Sequence, residues 1–158
     1  MATLKPIILL LLLGLMLAAC GKAALTPDTV VNAPKGLGIQ GFDPVAYHTD
    51  EKATAGSFVF QIEYQGVIYR FASEQNKDAF EQEPRRYLPA YGGYCAYAMS
   101  NGDIVDINPR NWTVVDGQLY LNANIFAQGL FALDTRGRIE RADAEWGILI
   151  SSAMNAQE

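Results

Sequence analysis

The distribution of apolar and polar residues divides the chain into an apolar N-terminal run, a polar stretch and a longer patterned region. Residues 6–19 contain no polar or charged side chain. Residues 21–36 show no apolar period and include two prolines. We therefore expect residues 20–37 to form a flexible tether, residues 38–150 to form one domain and residues 151–158 to form a disordered tail.

Two stretches have the alternating pattern of β-hairpins. In residues 58–64 every second side chain is large and apolar, which predicts a half-buried strand. Residues 67–71 predict the returning strand after a two-residue turn. Residues 112–115 and 118–121 predict a second hairpin, because they flank an Asp-Gly pair, which is a strong hairpin signal.

Helical patterns separate the two hairpins and follow the second one. Ser73 can cap the N-terminus of a short helix over residues 74–83. Two further helices are predicted by apolar residues at helical spacing: Phe126, Leu130 and Leu133 in the first, and Ile139, Ala142, Trp146 and Leu149 in the second. Hairpins with helices segregated from them predict an α+β fold for a small single domain.

The inward faces of these elements should supply the hydrophobic core. The expected core residues are Phe58, Phe60, Ile62, Tyr69, Phe71, Phe80, Trp112, Val114, Leu119, Leu121, Leu130, Leu133 and Trp146. The composition excludes one class of partner. The formal net charge is −5, and an acidic chain does not suit binding to the phosphates of a nucleic acid.

The N-terminus has the features of a bacterial lipoprotein signal peptide over residues 1–19. Lys5 precedes the apolar run, which is short for a transmembrane helix of about 20 residues. The tetrad Leu17-Ala18-Ala19-Cys20 resembles a lipobox, in which the cysteine is acylated and anchors the mature protein in the membrane. The alternatives are an ordinary cleaved signal or an uncleaved anchor, with Cys20 incidental.

The lipobox hypothesis makes Cys20 the site of attachment of fatty acyl chains such as palmitate. Two or more chains are needed for stable anchoring. Gly21 follows the cysteine. By resemblance to Gram-negative lipoproteins, this residue favours the outer membrane, with the domain facing the periplasm.

Four motifs in the domain resemble the YHS domain family, in its secreted bacterial branch. They occupy residues 41–47, 69–73, 87–97 and 112–122, and the resemblance extends over about residues 38–147. It implies a small α+β module related to treble-clef folds. The family occurs beside copper- and mercury-handling proteins, and its members are usually described as binding a soft or transition metal.

The resemblance directs attention to the cysteine in the third motif. In some members of the secreted branch the position that matches Cys95 is a selenocysteine, which implies chemically active sulfur here. Metal-linked members often carry a Cys-Ser-x-x-x-Cys pattern, but this chain has Ala72-Ser73-Glu74-Gln75-Asn76 at that place. A tetrahedral site of several thiolates therefore cannot form within the chain.

Cys95 has three interpretations that the sequence leaves open: a buried apolar residue, a metal ligand or a redox-active thiol. If it binds metal, His48 and Met99 are the candidate companions, and this set of soft and borderline donors would favour copper(I). For His48 the alternative is a surface position, and for Met99 it is core packing.

The surroundings of Cys95 are also predicted. Asp43, Tyr47, Tyr94 and Tyr97 are candidates to line a pocket, although Asp43 could simply organise a turn and the tyrosines could pack in the core. Both segments are rich in Gly, Pro and Tyr, as functional loops often are. We expect Cys95 to lie beside the segment from Asp43 to His48.

These observations favour a non-catalytic lipoprotein of the cell envelope that binds a metal, with copper preferred, at a site centred on Cys95. A thiol-dependent redox protein is the main alternative. A structural or partner-binding lipoprotein is the third.

Overall fold

The computed structural model describes residues 24–155 as a small α+β fold with two antiparallel hairpins and six α-helices, as the sequence predicts. The strands are β1 (Ser57–Tyr64), β2 (Val67–Phe71), β3 (Asn108–Val115) and β4 (Gln118–Asn122). The helices are α1 (Ala46–Thr49), α2 (Glu74–Gln82), α3 (Pro84–Tyr87), α4 (Ala96–Met99), α5 (Ile125–Ala132) and α6 (Thr135–Asn155). The predicted signal peptide and Cys20 lie outside the described residues.

Local sequence signals account for both hairpins and for α2. The turn residues Gln65-Gly66 and Asp116-Gly117 all have positive φ, as tight two-residue hairpin turns require. β1 pairs with β2 and β3 pairs with β4, each pair forming its own two-stranded sheet. Ser73 caps α2 by accepting a hydrogen bond from the backbone N–H of Asn76.

The prediction that Phe58 belongs to the core is wrong. Its side chain is 75% exposed, and the neighbouring Val59 is exposed as well. The pairing register of β1 with β2 shifts between Ser57 and Gln61. This irregularity breaks the alternation of inward and outward side chains that the sequence pattern assumed.

The buried face of α5 also differs from the prediction. Leu130 and Leu133 are exposed, and so is Phe126, whereas Ala127 and Phe131 are buried. The helix is apolar on nearly every side, so the sequence offers two stripes at helical spacing. The stripe that contains the small residue Ala127 packs against the protein, because a small side chain allows close approach.

Helix α6 packs through the face that the sequence predicts. Ala142 is buried, and Ile139, Trp146 and Leu149 pack against the core. The helix continues through Asn155, so residues 151–155 are helical where we expected a tail. None of the helices between residues 24 and 155 is long and apolar enough to cross a membrane.

The core consists of two clusters that meet near residues 95–99. The first contains both β2 aromatics, Phe80 and Cys95, and the second contains Met99, Tyr120 and Phe131. Tyr97 packs against both clusters. The segment that holds Cys95 and Met99 therefore connects the two halves of the core.

Residues 24–36, which we expected to belong to a tether, pack on the domain. Asn32 is buried and its amide donates hydrogen bonds to the carbonyl of Gly93, at 3.1 Å, and to the carboxylate of Asp106, at 2.8 Å. The backbone N–H of Asn32 donates to the carbonyl of Gly92 at 2.8 Å. Leu25 is also buried. Hydrogen bonds of Asn32 therefore hold this segment on the domain, although the segment has no apolar period.

Candidate functional site around Cys95

Cys95 lies at the junction between a single helical turn (Ala90–Gly93) and α4. Gly92 and Gly93 both have positive φ, so the chain turns sharply before the cysteine, as glycine permits. The backbone N–H of Cys95 donates to the carbonyl of Val105 at 3.0 Å, and Cys95 forms a parallel bridge with Leu121. These contacts fix the residue in the interior, where it is 1% exposed.

The sulfur of Cys95 has three polar neighbours, although the residue belongs to the first hydrophobic core cluster. It accepts hydrogen bonds from the backbone N–H of Ala98, at 3.5 Å, and from that of Ala123, at 3.3 Å. Sγ also lies 3.9 Å from Oδ1 of Asn122, to which a thiol proton can be donated. The first contact makes Cys95 the N-cap of α4. The sulfur of an inert cysteine in an apolar core has no hydrogen-bond donors directed at it, so the environment of Cys95 is different.

Asn122 is a component of the site that the sequence analysis did not single out. Its side chain is fully buried, and Oδ1 accepts the backbone N–H of Tyr97 at 3.2 Å. This bond fixes the orientation of the amide. Nδ2 is buried without a hydrogen-bond partner among the described residues. Such groups are rare because an unpaired buried donor is costly. The available signal was an Asn at the end of an apolar strand.

His48 lies in a different environment from Cys95. Its ring packs edge-on against Tyr87, with 5.4 Å between the ring centroids. Together with Tyr47, Arg86 and Trp112 it lines an open cleft of about 540 Å³. Among residues 24–155, no hydrogen bond or ring contact joins His48 to Cys95.

The environment of His48 disfavours its charged form. Burial lowers the pKa of the imidazole from its ordinary value, and the nearby guanidinium of Arg86 lowers it further. Nε2 is buried without a hydrogen-bond partner in the described part of the chain. His48 is therefore a neutral imidazole at neutral pH, on the wall of the cleft.

Met99 packs in the second core cluster, whereas Cys95 belongs to the first. The two residues are one helical turn apart, and the backbone N–H of Met99 donates to the carbonyl of Cys95 at 2.9 Å. The Met99 side chain is fully buried among Tyr91, Tyr120 and Phe131. Within residues 24–155, no group of three or more His, Cys, Asp or Glu side chains is arranged to hold a metal ion.

Asp43 organises the loop before α1. One carboxylate oxygen accepts the backbone N–H groups of Val45 and Ala46, at 2.8 and 3.2 Å. The other accepts the backbone N–H of Ala72 at 2.8 Å and the amide of Asn76 at 2.7 Å. The carboxylate is buried, and these four donors occupy it. Its contacts are those of a residue that organises a turn.

The three tyrosines of the predicted pocket have separate partners. Tyr47 is buried, and its hydroxyl donates to the carbonyl of Pro109 at 2.8 Å. Burial and the carboxylate of Asp43 raise its pKa. The hydroxyl of Tyr94 donates to the carbonyl of Thr29, and the guanidinium of Arg138 lies 4.6 Å from the ring centroid of Tyr97.

The model of the YHS domain family matches residues 45–91 of the chain. The match begins in the loop that Asp43 organises and includes the first hairpin, α2 and α3. It ends four residues before Cys95. No curated protein and no solved structure gives a significant match. The similarity to the YHS domain therefore covers residues 45–91, and Cys95 with its polar contacts lies beyond the matched residues.

Proposed function

We propose that the protein is a lipid-anchored protein of the cell envelope whose YHS-like domain acts through the thiolate of Cys95. The anchor is supported by the apolar run of residues 6–19 and the Leu17-Ala18-Ala19-Cys20 tetrad. We place it in the outer membrane, facing the periplasm. The observation that carries the role of Cys95 is the pair of backbone N–H groups directed at its sulfur.

Those two N–H groups make the sulfur of Cys95 a hydrogen-bond acceptor. A negatively charged sulfur accepts hydrogen bonds more strongly than a neutral thiol does, and the thiolate is the form that acts as nucleophile or ligand. Because the donors of Ala98 and Ala123 belong to the backbone, they remain directed at the sulfur without ordering further side chains. Asn122 directs its Oδ1 at the sulfur from 3.9 Å, where it can accept the proton of the thiol.

Thiol chemistry is the function that this geometry supports best, because it needs no second ligand. The Cys95 thiolate would attack one sulfur of a small disulfide, form a mixed disulfide and release the other sulfur as a thiolate. The thiolate of a small thiol would then attack the mixed disulfide at the sulfur of the bound half. This step releases the Cys95 thiolate and a new small disulfide. Since Cys95 is 1% exposed, the neighbouring chain must open to admit the reagent.

Reactivity in the native and unfolded states tests this proposal. We would measure the rate at which a small aromatic disulfide modifies purified residues 21–158, natively and in denaturant, with Cys95→Ser as the blank. If Cys95 is functional, a local opening of the chain admits the reagent, so the native rate should exceed the rate that global unfolding allows. A native rate no faster than global unfolding would instead identify Cys95 as a core residue.

Binding of a soft metal, with copper(I) favoured, is the second candidate. Its support is the match to the YHS domain, a family described as metal-binding, together with a thiolate that can act as a soft ligand. Among residues 24–155, Cys95 is the soft donor whose sulfur already has polar neighbours. Met99 would have to leave its core cluster, and His48 lines an open cleft that Cys95 does not line.

Competition with a copper(I) chelator tests the second candidate. If Cys95 is the ligand, Cys95→Ser should lose binding, whereas His48→Ala should retain the wild-type affinity. Binding by the wild type that is no tighter than that of Cys95→Ser would exclude the metal site.

The lipid anchor can be tested separately. Cys20→Ala should yield a protein that no longer partitions into the detergent phase. A variant that partitions like the wild type would refute acylation at Cys20 without bearing on Cys95.

A further inference from the structure

The outward face of α5 is apolar. Its exposed residues include Ile125, Phe126, Gly129, Ala132 and Leu133, the last of which lies just beyond the end of the helix. Phe126 is 80% exposed and Leu133 is 82% exposed, and residues 125–133 include no charged side chain. A surface helix normally directs polar side chains outward and apolar ones toward the core. Helix α5 instead presents large apolar groups to water.

The one polar side chain within residues 125–133 is directed toward the protein. Gln128 donates a hydrogen bond from its amide to the carbonyl of Trp112 at 2.6 Å. On the same side of the helix, Ala127 and Phe131 are buried, and the ring of Phe131 packs against that of Tyr120 with 5.5 Å between the centroids. These contacts hold α5 on the domain. Its outward apolar side chains have no such role among the described residues.

Gly129 lies at the centre of this outward face. With 3.6 residues per turn, its position is opposite the side that buries Ala127 and Phe131. The φ of Gly129 is not positive, and a Cβ placed on it would have no described atom within 4 Å. Glycine inside a helix is less favourable than alanine. Neither the backbone conformation nor packing among residues 24–155 requires glycine here, whereas close approach of another backbone would.

The outward face is complementary to a second copy of itself. In an antiparallel pair of α5 helices centred on Gly129, residues equally distant from that position meet across the twofold axis. Phe126 of each copy then faces Ala132 of the other, and Ile125 faces Leu133, so that a large side chain meets a small one beside the central glycine. Such a mutual arrangement is typical of twofold interfaces, in which one patch pairs with itself.

The charge of the chain also favours this face for self-association. Two copies with a formal net charge of −5 each repel one another when their acidic surfaces meet. Because residues 125–133 carry no charge, α5 can form the contact without placing like charges opposite each other.

We propose that two copies of the protein pair through the outward faces of their α5 helices. Four exposed apolar side chains determine the size of this interface: Ile125, Phe126, Leu130 and Leu133. Two copies that bury them remove on the order of 1,000 Å² from water in total, which is at the low end for specific interfaces. The dimer is therefore reversible. It requires neither the thiol of Cys95 nor acylation of Cys20.

Photocrosslinking in the full-length protein tests this pairing. We would place p-benzoylphenylalanine at Phe126 or, as a matched control, at Phe58, another aromatic residue that is 75% exposed. The protein would be irradiated in vesicles of phosphatidylethanolamine and phosphatidylglycerol. The label at position 126 should yield a covalent dimer whose crosslinked peptide contains residues 125–133 of the second copy. The label at position 58 should leave the protein monomeric.

Two helical glycines provide a matched pair of substitutions. Gly129 in α5 and Gly147 in α6 both have open space at the Cβ position. With the label at position 126, Gly129→Leu should lower the yield of dimer by about tenfold or more, because the added side chain separates the two helices. Gly147→Leu should leave the yield unchanged. Circular dichroism would verify that both variants remain folded.

Every other product would overturn the proposal. An adduct between the label at position 126 and lipid would assign the face to the bilayer, and an adduct with residues 1–23 of the same chain would assign it to that segment. Equal yields of dimer from positions 126 and 58 would indicate random collisions. A dimer whose yield is the same in Gly129→Leu as in Gly147→Leu would show that the helices do not meet at Gly129.

Discussion

The amide of Asn76 donates a 2.7 Å hydrogen bond to the buried carboxylate of Asp43. This bond joins the loop before α1 to the first turn of α2, two segments separated by the whole first hairpin. The same carboxylate also accepts backbone N–H groups from both sides. Asp43 therefore links segments that the chain places far apart in sequence.

Removal of the Asn76 amide should destabilise the fold. Asn76→Ala leaves one lone pair of a buried charged group unsatisfied, so we expect the free energy of unfolding to fall by about 1–3 kcal/mol. Urea denaturation would measure the loss. The exposed neighbour Gln75→Ala should change stability by less than about 0.5 kcal/mol. Equal effects of the two substitutions would show that the bond to Asp43 is not important for stability.

Substitution of two glycines with positive φ can separate the cost of backbone strain from the cost of steric overlap. Gly66 has φ +78° and open space at its Cβ position, whereas Gly92 has φ +60° and a Cβ position 2.1 Å from the carbonyl of Val30. Gly66→Ala should cost about 1 kcal/mol for backbone strain alone. Gly92→Ala should cost more and should displace residues 24–33, which limited proteolysis would detect. A cost no larger than that of Gly66→Ala would contradict this packing of the segment.

The sequence predicted the hairpins and α2 well because their signals are local. A positive-φ turn pair such as Asp116-Gly117 or a cap such as Ser73 acts within a few residues. The buried face of α5 was not predictable in this way. Helix α5 is apolar on nearly every side. The burial of Phe131 rather than Leu130 depends on which parts of the chain pack against the helix.

The candidate site was predictable only in part for a related reason. The motif that contains Cys95 was identifiable, but its partners Asn122 and Ala123 come from the end of β4 and the turn after it. His48 was proposed as a companion because it is the only histidine in the chain. Chemical type could not reveal that it lines an open cleft to which Cys95 does not contribute.

Truncation of a core aromatic distinguishes the correct and incorrect parts of the predicted core. Phe71 is fully buried, whereas Leu133 is 82% exposed. Phe71→Ala should lower the free energy of unfolding by about 3–5 kcal/mol, because it removes a large side chain and leaves a cavity. Leu133→Ala should change it by less than about 0.5 kcal/mol. Chemical denaturation measures both, and a small loss for Phe71→Ala would contradict its position between the hairpin and α2.

The lowered pKa of His48 should make stability depend on pH near its ordinary pKa. Burial first, and Arg86 second, disfavour the imidazolium in the folded state, while the unfolded chain keeps an ordinary histidine pKa near about 6.5. Above that pH both states hold a neutral imidazole, and the full stability is present. As the pH falls below it, the unfolded state binds the proton first, so stability decreases until folded His48 is also protonated.

Because the chain has a single histidine, one substitution isolates this effect. The free energy of unfolding, measured by urea denaturation between about pH 5 and pH 8, should fall less steeply toward acid in His48→Gln than in the wild type. Arg86→Gln should reduce the slope partly, since it removes the second cause of the shift and leaves the burial. Identical pH profiles for the wild type and His48→Gln would mean that the imidazole in the cleft is as free to protonate in the folded protein as in the unfolded chain.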